Sequence, residues 1–139
     1  MKRHPALEEL SRDHHQALVV AQRLKRADDA SADQARSAFL DYWEREGSEH
    51  FREEEEILLP ALARVTDPHQ PLIGRVLTDH VSIRCRASEM RADASLEKLH
   101  ALGEELGGHV RREERELFPL IERIMPEPEL VELASKLSS

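Results

Sequence analysis

The stretch HFREEEEILLP fills His50–Pro60, and HVRREERELFP fills His109–Pro119. Each opens on a histidine, reaches a Glu-Glu pair after three intervening residues, and closes on a proline ten residues beyond the histidine. In a helix, residues i and i+4 share a face. His50 is therefore stacked on Glu54, and His109 on Glu113. Glu55 and Glu114 turn away by roughly 140° at ~100° per residue and are expected to face solvent or a neighbouring surface. The i+3 position is Glu53 in one stretch and Arg112 in the other, so it lies outside the shared frame.

Apolar residues recur at helical spacing around both stretches. The spacing predicts helices over about 6–27, 33–65, 72–92 and 94–124, and a short terminal helix over about 128–137. The inward stripe of the first is Leu7, Leu10, His14, Ala17, Ala21 and Leu24. In the second it is Phe39, Trp43, His50, Glu54, Leu58 and Ala61, with Pro60 expected to kink the last turns. The third offers Ile73, Leu77, His80, Ala87 and Met90. The fourth offers Leu99, Leu102, Leu106, His109, Glu113, Leu117, Leu120 and Ile124. DDASAD and TDPHQP between them carry turn chemistry. Short connections between long helices predict an all-α, up-down-up-down antiparallel four-helix bundle. The expected organisation is one domain over 1–139, with its core at about 6–125.

Composition narrows the function. The chain has 139 residues, 35% of them charged and 4% aromatic, and a formal charge of −8. An acidic surface repels phosphate backbones, so nucleic acid is not an expected partner. No basic amphipathic stretch points to a membrane surface, and no run of ~18 apolar residues points to a span. The opening MKRHPALEEL lacks an apolar signal core, so the expected location is cytoplasmic. Cys85 is the only cysteine, which rules out an intrachain disulfide.

An ionised carboxylate on an apolar stripe is costly unless it is paired or holds a metal. The first and third helices each add one inward histidine, His14 and His80. His14 shares its face with Leu10, Ala17 and Ala21. His15 keeps company with Glu8, Ser11 and Gln22, and is the alternative, as a surface or supporting group. Four histidines and two glutamates aimed at one axis suit a pair of first-row metal ions. The candidate metal ligands are His14, His50, Glu54, His80, His109 and Glu113. No catalytic constellation appears apart from them. Lone histidines and acidic runs are ordinary. The duplicated phrase, completed by one inward histidine on each remaining helix, is not. His4, His69 and His100 are expected to be exposed.

DHHQAL (13–18), HFREEEEILLP, LTDH (77–80) and HVRREERELFP resemble the hemerythrin-like, HHE cation-binding family, over roughly residues 7–124. The resemblance implies a four-helix bundle around a non-haem di-iron centre, oxo- or hydroxo-bridged, with Glu54 and Glu113 as bridging carboxylates. Two departures set the chain apart from the oxygen-carrying hemerythrins. Arg84 stands where their third helix has a second histidine, and Glu113 follows His109 by four residues where they have Asp after five. The four-His, two-Glu pattern is closer to bacterial di-iron proteins linked to iron-centre repair and to nitric oxide or peroxide stress.

With six protein ligands, each iron would keep an open position for O2, peroxide or NO. Arg84 either holds positive charge near the site or snorkels to solvent. Trp43 is either core or an oxidisable neighbour of the irons. The implied partners are a small diatomic or peroxide ligand and a separate redox partner. Reversible O2 or iron storage and donation is the alternative function, and a structural bundle with zinc in the site is a further one.

Overall fold

A computed structural model describes residues 2–92 and 95–137. It contains five helices and no strand among those residues. Helix α1 is Pro5–Lys25. Helix α2 runs over 32–65, as α-helical segments Ala32–Tyr42, Ser48–Glu53 and Leu59–Val65 joined through π turns at Trp43–Gly47 and Glu54–Leu58. Helix α3 is Pro71–Glu89. Helix α4 runs over 96–124, as Leu96–Arg112 and Phe118–Ile124 joined by a π turn at Glu113–Leu117. Helix α5 is Glu127–Leu137. The expected start of the fourth helix at Ala94 lies outside the described residues. The first four helices form the antiparallel bundle, and α5 packs on α1 and on the second π turn of α2.

Local chemistry sets the ends. Pro5 opens α1, where a missing N–H costs nothing, and the His4 ring accepts from the Ala6 N–H. Pro71 and Gln70 repeat the device for α3, and the Ser95 hydroxyl caps α4. His4 is thus a half-buried cap that also bonds Glu127, not an exposed terminal residue. His100 is likewise half-buried and donates to the Ala27 carbonyl at 2.7 Å. His69 is exposed, as expected.

Pro60, expected to kink the last turns of its helix, and Pro119 each follow a change of helical turn. Proline lacks an N–H, and its ring crowds the carbonyl four residues back. The turn before each proline is widened. The Leu59 N–H donates to the Glu54 carbonyl and the Phe118 N–H to the Glu113 carbonyl, each five residues back. Such widened turns are uncommon and often occupy functional sites. Here each begins at one of the two stacked glutamates.

The π turn at Trp43–Gly47 has a different consequence. On an uninterrupted helix Trp43 would share the His50 face, as expected from the sequence. The wider turn absorbs about one residue of rotation and brings Tyr42 inward instead. Tyr42 is buried and Trp43 only half-buried. Trp43 stacks on Phe39 and meets Phe51 edge-on, in the layer outside the bundle axis. A smaller correction concerns α3, whose buried row is Ile73, Val76, His80, Ile83 and Ala87. Leu77, expected inward, is 39% exposed.

The core is split in two. One apolar cluster gathers Leu7, Leu10, Leu58, Leu62, Val76, Leu117, Phe118 and Ile121 with α5 residues Leu130 and Leu133. The other gathers Ala17, Ala21, Leu24, Phe39, Tyr42, Phe51, Ile83, Leu102 and Leu106. Along each of the first four helices the break between the two falls at the histidines and glutamates.

Candidate metal centre

Six polar side chains fill that break: His14, His50, Glu54, His80, His109 and Glu113. All are buried, and Glu54 and Glu113 have no exposed surface. All six residues expected from the sequence come together. His15 lies on the exposed face of α1.

The ε nitrogens converge on the two glutamates. His14 Nε2 lies 2.7 Å from Glu113 Oε1 and His50 Nε2 3.0 Å from Glu54 Oε2. His80 Nε2 lies 2.9 Å from Glu54 Oε1 and 3.9 Å from Glu113 Oε2. His109 Nε2 lies 3.1 Å from Glu113 Oε2 and 4.0 Å from Glu54 Oε1. Two groups of donors result: His14, His50, Glu54 and Glu113, and then Glu54, His80, His109 and Glu113. Both glutamates belong to both groups, and the donor atoms of each lie within 4.8 Å of one another.

Every δ nitrogen faces a further carboxylate. His14 Nδ1 is 2.6 Å from Glu114 and His50 Nδ1 is 3.1 Å from Asp13. His80 Nδ1 is 2.7 Å from Glu55 and His109 Nδ1 is 3.0 Å from Asp79. A carboxylate only accepts, so each δ nitrogen carries the proton. In a neutral imidazole this leaves an ε lone pair aimed at carboxylate oxygens. Lone pair against lone pair is repulsive unless a cation sits between. Such a partner on the far nitrogen of a ligating histidine fixes its tautomer and ring orientation.

These four carboxylates were missed as partners. Glu55 and Glu114, expected to face solvent or a neighbouring surface, take the second course: each reaches across to a histidine of another helix. The π turn rotates each residue by less than an α turn does, leaving the second glutamate nearer the inner face. A signal was available. Asp13-His14 and Asp79-His80 are the same dipeptide on α1 and α3. In each, the Asp serves the histidine of the following helix.

Arg84 pairs with Glu55 at 3.1 Å and lies over the Phe51 and Trp43 rings. It does not pair with Glu54 or Glu113; its charge reaches the site through Glu55. Arg3 does the same for Glu114, at 3.1 Å, over Phe118. Phe51 stacks on His80 at 3.9 Å and Phe118 on His14 at 5.4 Å.

Electrostatics record how strongly this layer draws positive charge. Burial opposes charge on every one of the four imidazoles, but the carboxylates outweigh it. All four pKa values are raised: His14, His80, His50 strongly, and His109, beside Glu113 and Asp79, to about 10. Burial would raise the Glu113 carboxyl, yet His109 and the other imidazoles hold it well below its ordinary value. Protons thus stand where a cation would. Even so, His109 Nε2 and Glu113 Oε2 are buried without any hydrogen-bond partner. Buried polar atoms without a partner are uncommon, and both of these belong to residues of the second donor group. The residues fit a metal pair.

A helical bundle with a buried, doubly shared His/Glu centre is a metal-binding bundle. A model of the hemerythrin HHE cation-binding domain matches residues 5–121, and the chain belongs to that family. No curated protein and no solved structure matches it. No helix among the described residues is long and apolar enough to cross a membrane.

Proposed function

We propose that this chain is a non-haem di-iron protein whose metal pair binds or reacts with O2, peroxide or NO, in sensing, stress defence or iron-centre repair. The observation that carries this reading is the sharing of Glu54 and Glu113 by both donor groups. Two carboxylates common to two donor groups would hold two ions close enough to share a two-electron change. Each group supplies four donors, which leaves room on each ion for a small exogenous ligand. Iron when bound would supply the redox chemistry and the open coordination.

The chain's own residues do the rest. His14, His50, His80 and His109 present ε nitrogens to the metals. Asp13, Asp79, Glu55 and Glu114 hold those rings in place. Phe51 and Phe118 wall the imidazoles off from water. Arg84 and Arg3 offset the charge of Glu55 and Glu114 from outside, leaving the ligating glutamates to the metals. The test is to load iron anaerobically, reduce it, and add O2, peroxide or NO while recording visible spectra. A ligand-specific spectral change is expected. Iron-loaded protein that shows no response to any of the three contradicts the reading.

A further inference from the structure

Tyr42 is not used by the centre as described. Its phenol sits in the apolar cluster beside the metal layer, where every other buried member is a hydrocarbon, aromatic or thioether side chain. The residue is 94% buried (6% exposed). Its hydroxyl makes no hydrogen bond to another described residue and is not among the fully enclosed polar atoms, so it keeps a free proton at the edge of the cluster. Two features of α2 put it there. The π turn at Trp43–Gly47 rotates Tyr42 onto the His50 face. Gly47 then leaves room for the ring.

Side chains on a helix normally lean toward its N-terminus. This one runs the other way. A Cβ on Gly47 would lie 2.8 Å from Tyr42 Cε2 and 3.0 Å from Cζ. The ring therefore passes over Gly47, five residues toward the C-terminus, on the side of the helix that leads to His50. No residue but glycine fits at 47 with the ring in this position. Burial, and after it the charge of Glu54, disfavours the phenolate and raises the pKa, so the group remains an O–H donor.

We propose that the Tyr42 hydroxyl donates a hydrogen bond to the small ligand held at the metal pair, with Gly47 as the residue that lets it reach. This rests on the open coordination position proposed above. The other nearby donors are committed: the four δ nitrogens to Asp13, Asp79, Glu55 and Glu114, and Arg84 to Glu55. The phenol is an uncommitted donor, so it distinguishes ligands that accept a hydrogen bond from those that do not; Arg112 Nε is uncommitted too, on a side chain tied to Asp79.

The experiment titrates azide, a small anionic acceptor, into the ferric, iron-loaded full chain and follows the visible spectrum. Tyr42→Phe keeps the ring and removes the donor. It is expected to bind azide about tenfold or more weakly, the loss of one hydrogen bond to a charged acceptor, with iron content unchanged. Gly47→Ala keeps the hydroxyl but displaces the ring, and is expected to weaken azide in the same direction. Equal azide affinity in wild type and Tyr42→Phe overturns the inference. So does loss of iron, or of a phenolate-to-iron visible band, in Tyr42→Phe, because the tyrosine would then be a metal ligand. Wild-type protein that holds iron but binds no azide overturns the open position itself, and this inference with it.

Discussion

The centre has two halves built on one plan, and they differ in what surrounds them. In one, His14 and His50 are held by Glu114 and Asp13; in the other, His80 and His109 are held by Glu55 and Asp79. Asp79 also takes Arg112 at 2.5 Å and is 19% exposed. Burial would raise its pKa, but His109 and Arg112 hold it below the ordinary carboxylate value. Asp13 has no arginine. Its side chain is 40% exposed, and Glu53 occupies on α2 the position that Arg112 occupies on α4. Glu53 is raised by burial and by its acidic neighbours Asp13, Glu49 and Glu9, against the pull of His50. One half is thus neutralised and enclosed, the other acidic and half-open. Identical ligands do not make equivalent sites; the next ring of charge decides how tightly each holds a cation.

The largest effect should come from removing what the halves share. Glu54→Ala or Glu113→Ala is expected to abolish metal retention in both halves, whereas His14→Ala or His80→Ala weakens one. In the metal-free chain Glu113→Ala strands buried imidazolium charge and should cost about 3–5 kcal/mol in urea unfolding. Retention of metal by Glu113→Ala would break the picture of a shared carboxylate.

Acidity should separate metal-free from metal-loaded protein. His109 has a folded pKa of about 10 against an ordinary 6.5. Its contribution is complete below about 6.5 and is lost as pH rises through about 10. Glu113 is depressed, so its contribution is present above about 4.5 and is lost as pH falls through its folded value. The metal-free chain should therefore be most stable between those limits and weaken toward alkaline pH. In loaded protein the metal replaces the protons, and that alkaline loss should disappear. Urea midpoints at pH 6 and pH 9, with and without metal, check this; identical pH profiles would contradict it.

Supporting residues should show the asymmetry directly. Asp79→Asn leaves both His109 and Arg112 without their anion, and is expected to lower metal affinity by about 100-fold. Asp13→Asn, at a half-open position where water can substitute, should cost about tenfold. Competition with a chelator gives both values, and the reverse order would overturn the comparison. The smallest change should be the most specific: Glu53→Arg gives Asp13 the partner that Arg112 gives Asp79. Its effect on stability should be favourable and under about 1 kcal/mol, as for other half-exposed pairs.

Much of this was legible in the chain. Apolar periodicity gave the helices within a few residues, and the i, i+4 pairing put His50 beside Glu54 and His109 beside Glu113 on the buried faces they occupy. His14 over His15 followed from its companions Leu10, Ala17 and Ala21. Other features depend on docking and were not readable along one helix. Asp13 and Asp79 act on histidines 37 and 30 residues away, so their role exists only once the helices are antiparallel and in register. Tyr42 and Trp43 exchanged places because a π turn shifts phase by one residue, and a regular period cannot show that. Leu77 sits one step off the buried row, where apolar character alone did not decide its side.

The account stands or falls on two irons held together. Elemental analysis of the full chain, purified without oxygen, is the direct measurement. About two irons per chain, one for each donor group, is the predicted result. Zinc alone, or a folded chain that takes up no metal when iron is supplied, would contradict it.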